Sequence, residues 1–333
     1  MDRVSFSFRE HLCELLPLKV LAEAKKLSGS YGELAQYAFD HISSYFCSVR
    51  DGSQVQEFLH YLGSDQYAQT PEEIEAAPKK LVRYVMIRLE DAEAEKVSRE
   101  TVQRFRLAQE YSFILESSSI SKAWVDFAYS LKRLGTVAIE KKLDDDSLAL
   151  FDKLVTGRKI TTLKIYPEAF DTGILEASKS LLCQEQFEEL RYVQLTEASR
   201  PPVGDLLEFW SKNSEKLRGK HFIMTGECRN SVQELGAFFQ RNGQKHVRRI
   251  IEKCSKEECD SIDKEYRHNH YAFVIPSCVF KHEEGEGDGR RKIYITFECT
   301  KLNDRQPMRH ATYKGPDNLR LWRHTKLCHT MFA

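Results

Sequence analysis

The chain has 333 residues, of which 41% are apolar and 30% charged, with 50 basic side chains against 50 acidic ones. That length and balance suit a globular protein built as one large domain, or as a small module followed by a larger one. They give no global field to draw nucleic acid or an anionic membrane, so neither is expected as a partner.

The opening MDRVSFSFREHL carries charge from its second residue and holds no sustained apolar run, so no secretory leader is expected. Phe8, Leu12 and Leu15 or Leu16 recur at three- and four-residue spacing, which predicts an amphipathic helix that Pro17 ends while helping to start a second. Ala22 to Lys26 are good helix formers, and Ser28-Gly29-Ser30 breaks the run. Read alone, these are either a separate helical module at residues 1–45 or two amphipathic helices capping the next domain.

Within this region Leu16 to Ala35, LPLKVLAEAKKLSGSYGELA, resembles an F-box. Leu16-Pro17 stands at the family's second Leu-Pro pair, followed by Leu18 and Leu21; Tyr31 takes the place of the usual Trp, ahead of Leu34-Ala35. Val4 and Ser5 occupy the first Leu-Pro positions, and Phe8, Leu12 and Cys13 the apolar positions between. The resemblance implies a module that binds a Skp-family adaptor. It assigns Val4, Phe8, Leu12, Leu16, Pro17, Leu18 and Leu21 to that contact or to the small core behind it.

Residues 46–80 contain Gly52, Gly63, Pro71 and Pro78 among many polar side chains, and are expected to be a connecting region with one short helix. From 81 to 270 an apolar triplet recurs roughly every 25 to 30 residues, a period that suggests stacked units. It reads Leu134, Val137, Ile139, then Ile160, Leu163, Ile165, then Leu190, Val193, Leu195, with a further copy at Val82, Val85, Ile87 and partial ones at Phe113, Leu115 and at Phe222, Met224. Helical stripes lie between, such as Trp124, Phe127, Leu131 and Val232, Leu235, Phe238, Phe239, with Asp144-Asp145-Asp146, Pro201-Pro202 and Asn230-Ser231 marking helix starts. Alternating strands and helices predict a parallel α/β arrangement. The triplet resembles the LxxLxL of a leucine-rich repeat, but Lys142, Glu168 and Ala198 stand where that family has Asn or Cys. An irregular leucine-rich-repeat-like strand-helix array is therefore expected, with an ordinary open α/β sheet as the alternative.

At 271–333, Tyr271 to Phe280 and Lys292 to Cys299 read as two strands of a hairpin, joined by the charged glycine-rich KHEEGEGDGRR and followed by an exposed tail. Neither strand is long enough to span a bilayer, and the first contains Pro276. The nine cysteines are an odd number without framework spacing and read as reduced thiols.

No chemistry stands out. Cys254, Cys259, His268 and His270 lack zinc-ligand spacing, and Cys328 beside His324 and His329 lacks attacking geometry and an oxyanion loop. Asp144 to Asp146 are explained as a helix N-terminus, and Arg248-Arg249 and Arg290-Arg291-Lys292 are short and offset by neighbouring acids. Neither cofactor nor metal is expected. MDRVSFSF, the KLSG at Lys26 to Gly29 and the Pro-Pro-Val-x-x-Leu-Leu segment at Pro201 to Leu207 make the whole chain similar to the nematode-expanded F-box-related proteins. That resemblance implies an intracellular, cytoplasmic or nuclear, non-enzymatic adaptor of a ubiquitin ligase with an unknown protein target. The alternative is a stand-alone repeat scaffold.

Overall fold

Strand and helix alternate along most of the chain, close to where the apolar triplets put them, although Leu195 lies just past the strand it was expected in and is exposed. The computed structural model describes residues 4–196, 201–241, 251–266, 272–285, 290–299 and 308–333. The fold is mixed α/β, with twelve α-helices among the described residues. Two units divide it, residues 1–138 with 143–154 and residues 139–142 with 155–333.

The first unit opens with α1 (Phe6–Leu15), α2 (Leu18–Ala24) and α3 (Ser30–His41), then β1 (Ser43–Arg50), β2 (Ser53–Tyr61) and β3 (Gln66–Ala68). After α4 (Pro71–Ala76) come β4 (Val82–Leu89), α5 (Glu95–Arg104), β5 (Glu110–Leu115) and α6 (Lys122–Ser130). Next are β6 (Leu134–Lys141) and α7 (Asp145–Thr156), both running across the division between units. β1, β4 and β5 are neighbours in parallel, while β2 and β3 continue from β1 in antiparallel.

Residues 46–80, expected as a connecting region, instead carry three strands and the short helix α4. Asp51 and Gly52 both have positive φ, 51° and 65°. That is the backbone of a two-residue hairpin turn whose twist matches its flanking strands, and Asp-Gly is a pair that adopts it readily. Tyr45, Cys47 and Val49 alternate inward ahead of the turn. The expected helix is closed by a capping box between Thr70 and Glu73 with Pro71 at its first position.

The two faces of this sheet differ. Tyr45, Cys47, Val85, Ile87 and Phe113 are buried under α5 and α6, with the Phe105 ring 4.5 Å from Tyr45 and Trp124 edge-on to Phe113 at 5.2 Å. On the opposite face Phe46 and Ile114 are half-buried and Tyr84 and Met86 exposed.

In the second unit β7 (Thr162–Glu168), α8 (Thr172–Leu182), β8 (Glu189–Gln194), α9 (Val203–Leu217), β9 (His221–Gly226) and α10 (Arg229–Gln240) follow in turn. β7, β8 and β9 lie side by side in parallel, Leu163 opposite Leu190 and Leu190 opposite Phe222. The rest comprises β10 (Glu252–Lys253), α11 (Lys256–Tyr266), β11 (Ala272–Phe273), β12 (Phe280–Glu284), β13 (Arg291–Phe297), β14 (Arg309–His310), α12 (Leu319–Trp322) and β15 (Leu327–Phe332).

Three expectations for this part are corrected. The hairpin pairs β12 with β13, so its first strand begins where it was expected to end, and Ala272–Phe273 pairs with β14 instead. The tail is no tail: β15 lies between β9 and β13, antiparallel to both, with Cys328, Met331 and Phe332 fully buried. Its alternating apolar residues can be buried on both faces, a pattern too short to tell from an exposed tail by sequence. Cys254 and Cys259, without a role by their spacing, belong to a core with Ile262, Phe273, Val279, Tyr294 and Met331 that closes the second face of this sheet under α11.

Lys220 is also inside, donating from Nζ to the carbonyls of Gln184, Glu185 and Phe187 at 2.8, 2.9 and 2.6 Å. It satisfies the loop entering β8, and Lys220→Met should lower the free energy of unfolding in urea by about 2–3 kcal/mol by leaving those carbonyls without a donor.

Buried Glu284 receives His282 at 3.4 Å and Arg291 at 2.8 Å, and these hold its carboxyl below the usual carboxylate range. A folded-state value below the unfolded one adds stability above the unfolded value, and that stability is lost as pH falls through the folded value. Urea melts at stepped pH should show this acid loss, and Glu284→Gln should flatten it.

Candidate functional site

The N-terminal helices are shaped by a few local rules. Ser5 caps α1, its Oγ accepting from Phe8 N at 3.3 Å. Leu16, preceding proline, is extended (φ −65°, ψ 137°) and ends the helix, and the Pro17 carbonyl then accepts from Val20 N and Leu21 N to begin α2. Gly29 at φ +80° makes the break before α3. Cys13, Leu21, Ala24, Ala35, Ala38, Ile42 and Leu81 form the small core, with Leu16, Tyr31 and Leu34 packed on its edge.

Helix α1 rests on the small core through Cys13, and polar contacts hold the same side. Lys80 Nζ meets Glu10 at 2.5 Å and Glu14 at 3.0 Å, and buried Arg83 donates to the Glu14 carbonyl at 3.0 Å. Hydrogen bonding to Glu10 and Glu14 raises the Lys80 ammonium above its usual value. The outward side carries large apolar side chains beside Ser7 and His11. Phe8 is 58% exposed and Leu15 57%, Val4 and Phe6 are also exposed, and Leu12 is half-buried between them. Phe8, Leu12 and Leu15 fall on one stripe by their spacing. Pro17 and Val20 are exposed beyond it and Leu18 half-buried. Apolar side chains gathered on the outside of a small module make this the candidate site of the chain.

The residues that the F-box resemblance assigns thus divide. Val4, Phe8 and Pro17 are exposed, Leu12, Leu16 and Leu18 half-buried, and Leu21 is fully buried in the core. Phe6, Leu15 and Val20 extend the exposed set; Leu15 was read only as part of a helical stripe, and Phe6 and Val20 were not singled out by sequence. The signal for them was a surplus: the segment holds more large apolar residues than three short helices can bury.

The other clusters carry no reactive arrangement. Cys328 and His329 point to opposite faces of β15. The thiol is buried and pushed up to about 12, receiving Trp322 Nε1 at 3.3 Å, while His329 Nε2 lies 2.9 Å from His221 Nδ1. His268, His270, Arg248-Arg249 and the centre of the glycine-rich loop lie outside the described residues. Burial raises the Cys254 and Cys259 thiols, and among the described residues no group of three or more His, Cys, Asp or Glu side chains could hold a metal ion. Asp144 Oδ1 accepts from Ser147 N at 2.8 Å, as a helix N-terminus requires. Arg290 and Arg291 pair with Glu283 and Glu284. No helix among the described residues is long and apolar enough to cross a membrane.

Compared with protein-family models, curated proteins and solved structures, the chain matches none of them.

Phe8→Glu and Leu15→Glu should each leave the urea midpoint nearly unchanged, within about 0.5 kcal/mol, as surface substitutions do. Leu21→Ala in the same assay should cost about 2–5 kcal/mol.

Proposed function

We propose that this protein is a non-enzymatic interaction adaptor. Its N-terminal helical module docks a Skp-family adaptor of a cullin-RING ubiquitin ligase, and its leucine-rich-repeat-like α/β region recruits the protein to be modified. The observation that carries this reading is the large apolar side chains that α1 exposes, Phe8 and Leu15 with half-buried Leu12 between them, while Lys80 and Arg83 anchor the helix. The position of that stripe just ahead of Leu16-Pro17, where the sequence resembles an F-box, supports the class of partner. Buried thiols raised above their usual value, as at Cys254 and Cys328, support the absence of a cysteine nucleophile.

The test is co-purification of the full chain with a Skp-family adaptor. The wild type should bind, and Phe8→Glu with Leu15→Glu should weaken binding more than about tenfold, since exposed apolar anchors dominate such interfaces. Leu16→Ala with Pro17→Ala should do the same, with circular dichroism confirming that the helices persist.

A second reading is a stand-alone scaffold in which α1 caps the α/β array, and the anchoring of α1 by Lys80 and Arg83 favours it. A wild-type chain that binds no adaptor, while Arg83→Leu lowers the thermal midpoint and speeds amide exchange in α1, would establish this reading in place of the first.

A further inference from the structure

We propose that the open sheet face of the first unit is a platform for a proline-rich peptide segment that carries a basic residue. The face is built by β3, β2, β1, β4 and β5, and its rings form a ladder across the strands. Phe46 stacks on Phe58 at 4.9 Å, Phe58 meets Tyr67 at 5.7 Å, and Tyr67 stacks on His60 at 4.5 Å with only 10° between planes. The strand register sets Met86 beside Phe46 and Tyr84 beside Ser44, so the ladder continues on to β4. Tyr67, Tyr84 and Met86 are 52%, 43% and 40% exposed on this face.

Spacing selects the ligand. Adjacent strands lie about 4.8 Å apart, so side chains on alternate strands are about 9.6 Å apart. A polyproline II helix repeats every three residues at about 3.1 Å each, or about 9.3 Å per turn. Phe58 on β2 and the Tyr84–Met86 pair on β4 are alternate-strand neighbours, as are Tyr67 on β3 and Phe46 on β1. Successive turns of such a peptide, crossing the strands, would therefore each meet a ring. Away from the edge at β2 and β3 the sheet's own backbone groups are occupied in its ladders, while the peptide's carbonyls are free to accept from the Tyr67 and Tyr84 hydroxyls.

Charge selects the flanking residue. Around the face Asp65 pairs with His60, Glu90 with Arg50 and Glu116 with Arg88. Glu110, at the end of the row through Tyr84, instead accepts from the Ser112 and Thr136 hydroxyls, both at 2.9 Å. A Cβ on neighbouring Gly135 would come within 2.4 Å of its carboxyl carbon, so the glycine leaves room for this carboxylate. A carboxylate held by neutral donors at the end of an aromatic row suits an arginine or lysine of the ligand. The same acids count against single-stranded nucleic acid, whose stacked bases bring phosphates that need a basic groove.

The binding stands apart from the adaptor reading, and only the identification of the peptide as part of a recruited target rests on it. The experiment is fluorescence polarisation of a labelled oligoproline flanked by arginine, titrated with the full chain. Saturable binding is expected. Tyr84→Ala and Met86→Asp, both on exposed side chains, should weaken it at least about tenfold with the thermal midpoint unchanged. Glu110→Gln should weaken the arginine-flanked peptide and leave a serine-flanked one unaffected. Phe8→Glu should leave peptide affinity intact, and Met86→Asp should leave adaptor co-purification intact, so failure of either proposal is told from failure of the other. No binding, or binding indifferent to Tyr84 and Met86, overturns the platform. So does preferential, salt-sensitive binding of a labelled oligouridine, or a concentration-dependent dimer that Met86→Asp abolishes.

Discussion

A parallel strand can be followed by a parallel neighbour only if the chain is first carried back, and in both units a helix makes that return. Each return helix has one apolar stripe and can bury it on one sheet face. This constraint organises the described structure. It puts Tyr45, Ile87 and Phe113 under α5 and α6 in the first unit, and Tyr192 and Phe222 on the helix side of the second. It also leaves a second face in each unit for which the alternation of strand and helix makes no provision.

The two units resolve that second face differently. In the second, β12, β13 and β15 bring Tyr294 and Met331 into a core closed by α11, with Cys254 and Cys259 as small apolar fillers whose thiols burial renders inert. In the first, the face stays open and collects rings from four strands. An open face of Lys and Glu would be solvated at no cost, whereas Tyr84 and Met86 are exposed against the hydrophobic effect. The N-terminal module likewise exposes large apolar side chains on a helix, where Phe8 and Leu15 face solvent while Cys13 enters the core and Glu10, Glu14 and Arg83 help hold α1 in place. Two surfaces of one unit thus carry apolar side chains outward.

Antiparallel strands enter wherever a turn or a return of the chain allows it. Asp51-Gly52 makes β1–β2 by local backbone chemistry alone, and the pair is legible in the sequence; Gly63, Pro71 and Pro78 nearby favour a connecting region instead. β15 has no such local signal. Its pairing with β9 joins residues more than a hundred positions apart, through contacts such as Thr330 Oγ1 to the Phe222 carbonyl at 2.9 Å.

The sequence by itself determined the local elements: the triplets around Val85, Leu163 and Leu190 became strands, the stripes at Trp124 and Val232 became helices, and Ser5, Pro17 and Gly29 bounded the first three helices. These follow from periodicity and from φ preferences, which act within a few residues. Which apolar side chains would be covered was decided only by the tertiary structure. Leu21 and Leu15 are both leucines in short helices, yet one is fully buried and the other exposed, because α3 packs against one side of the module and solvent bathes the other. Cys328 and Met331 lie in a short apolar run that β9 and β13 hold inside the sheet, where Trp322 meets one and the core under α11 covers the other. Burial depends on what the rest of the chain places opposite a residue, and that is a long-range property which no local pattern encodes.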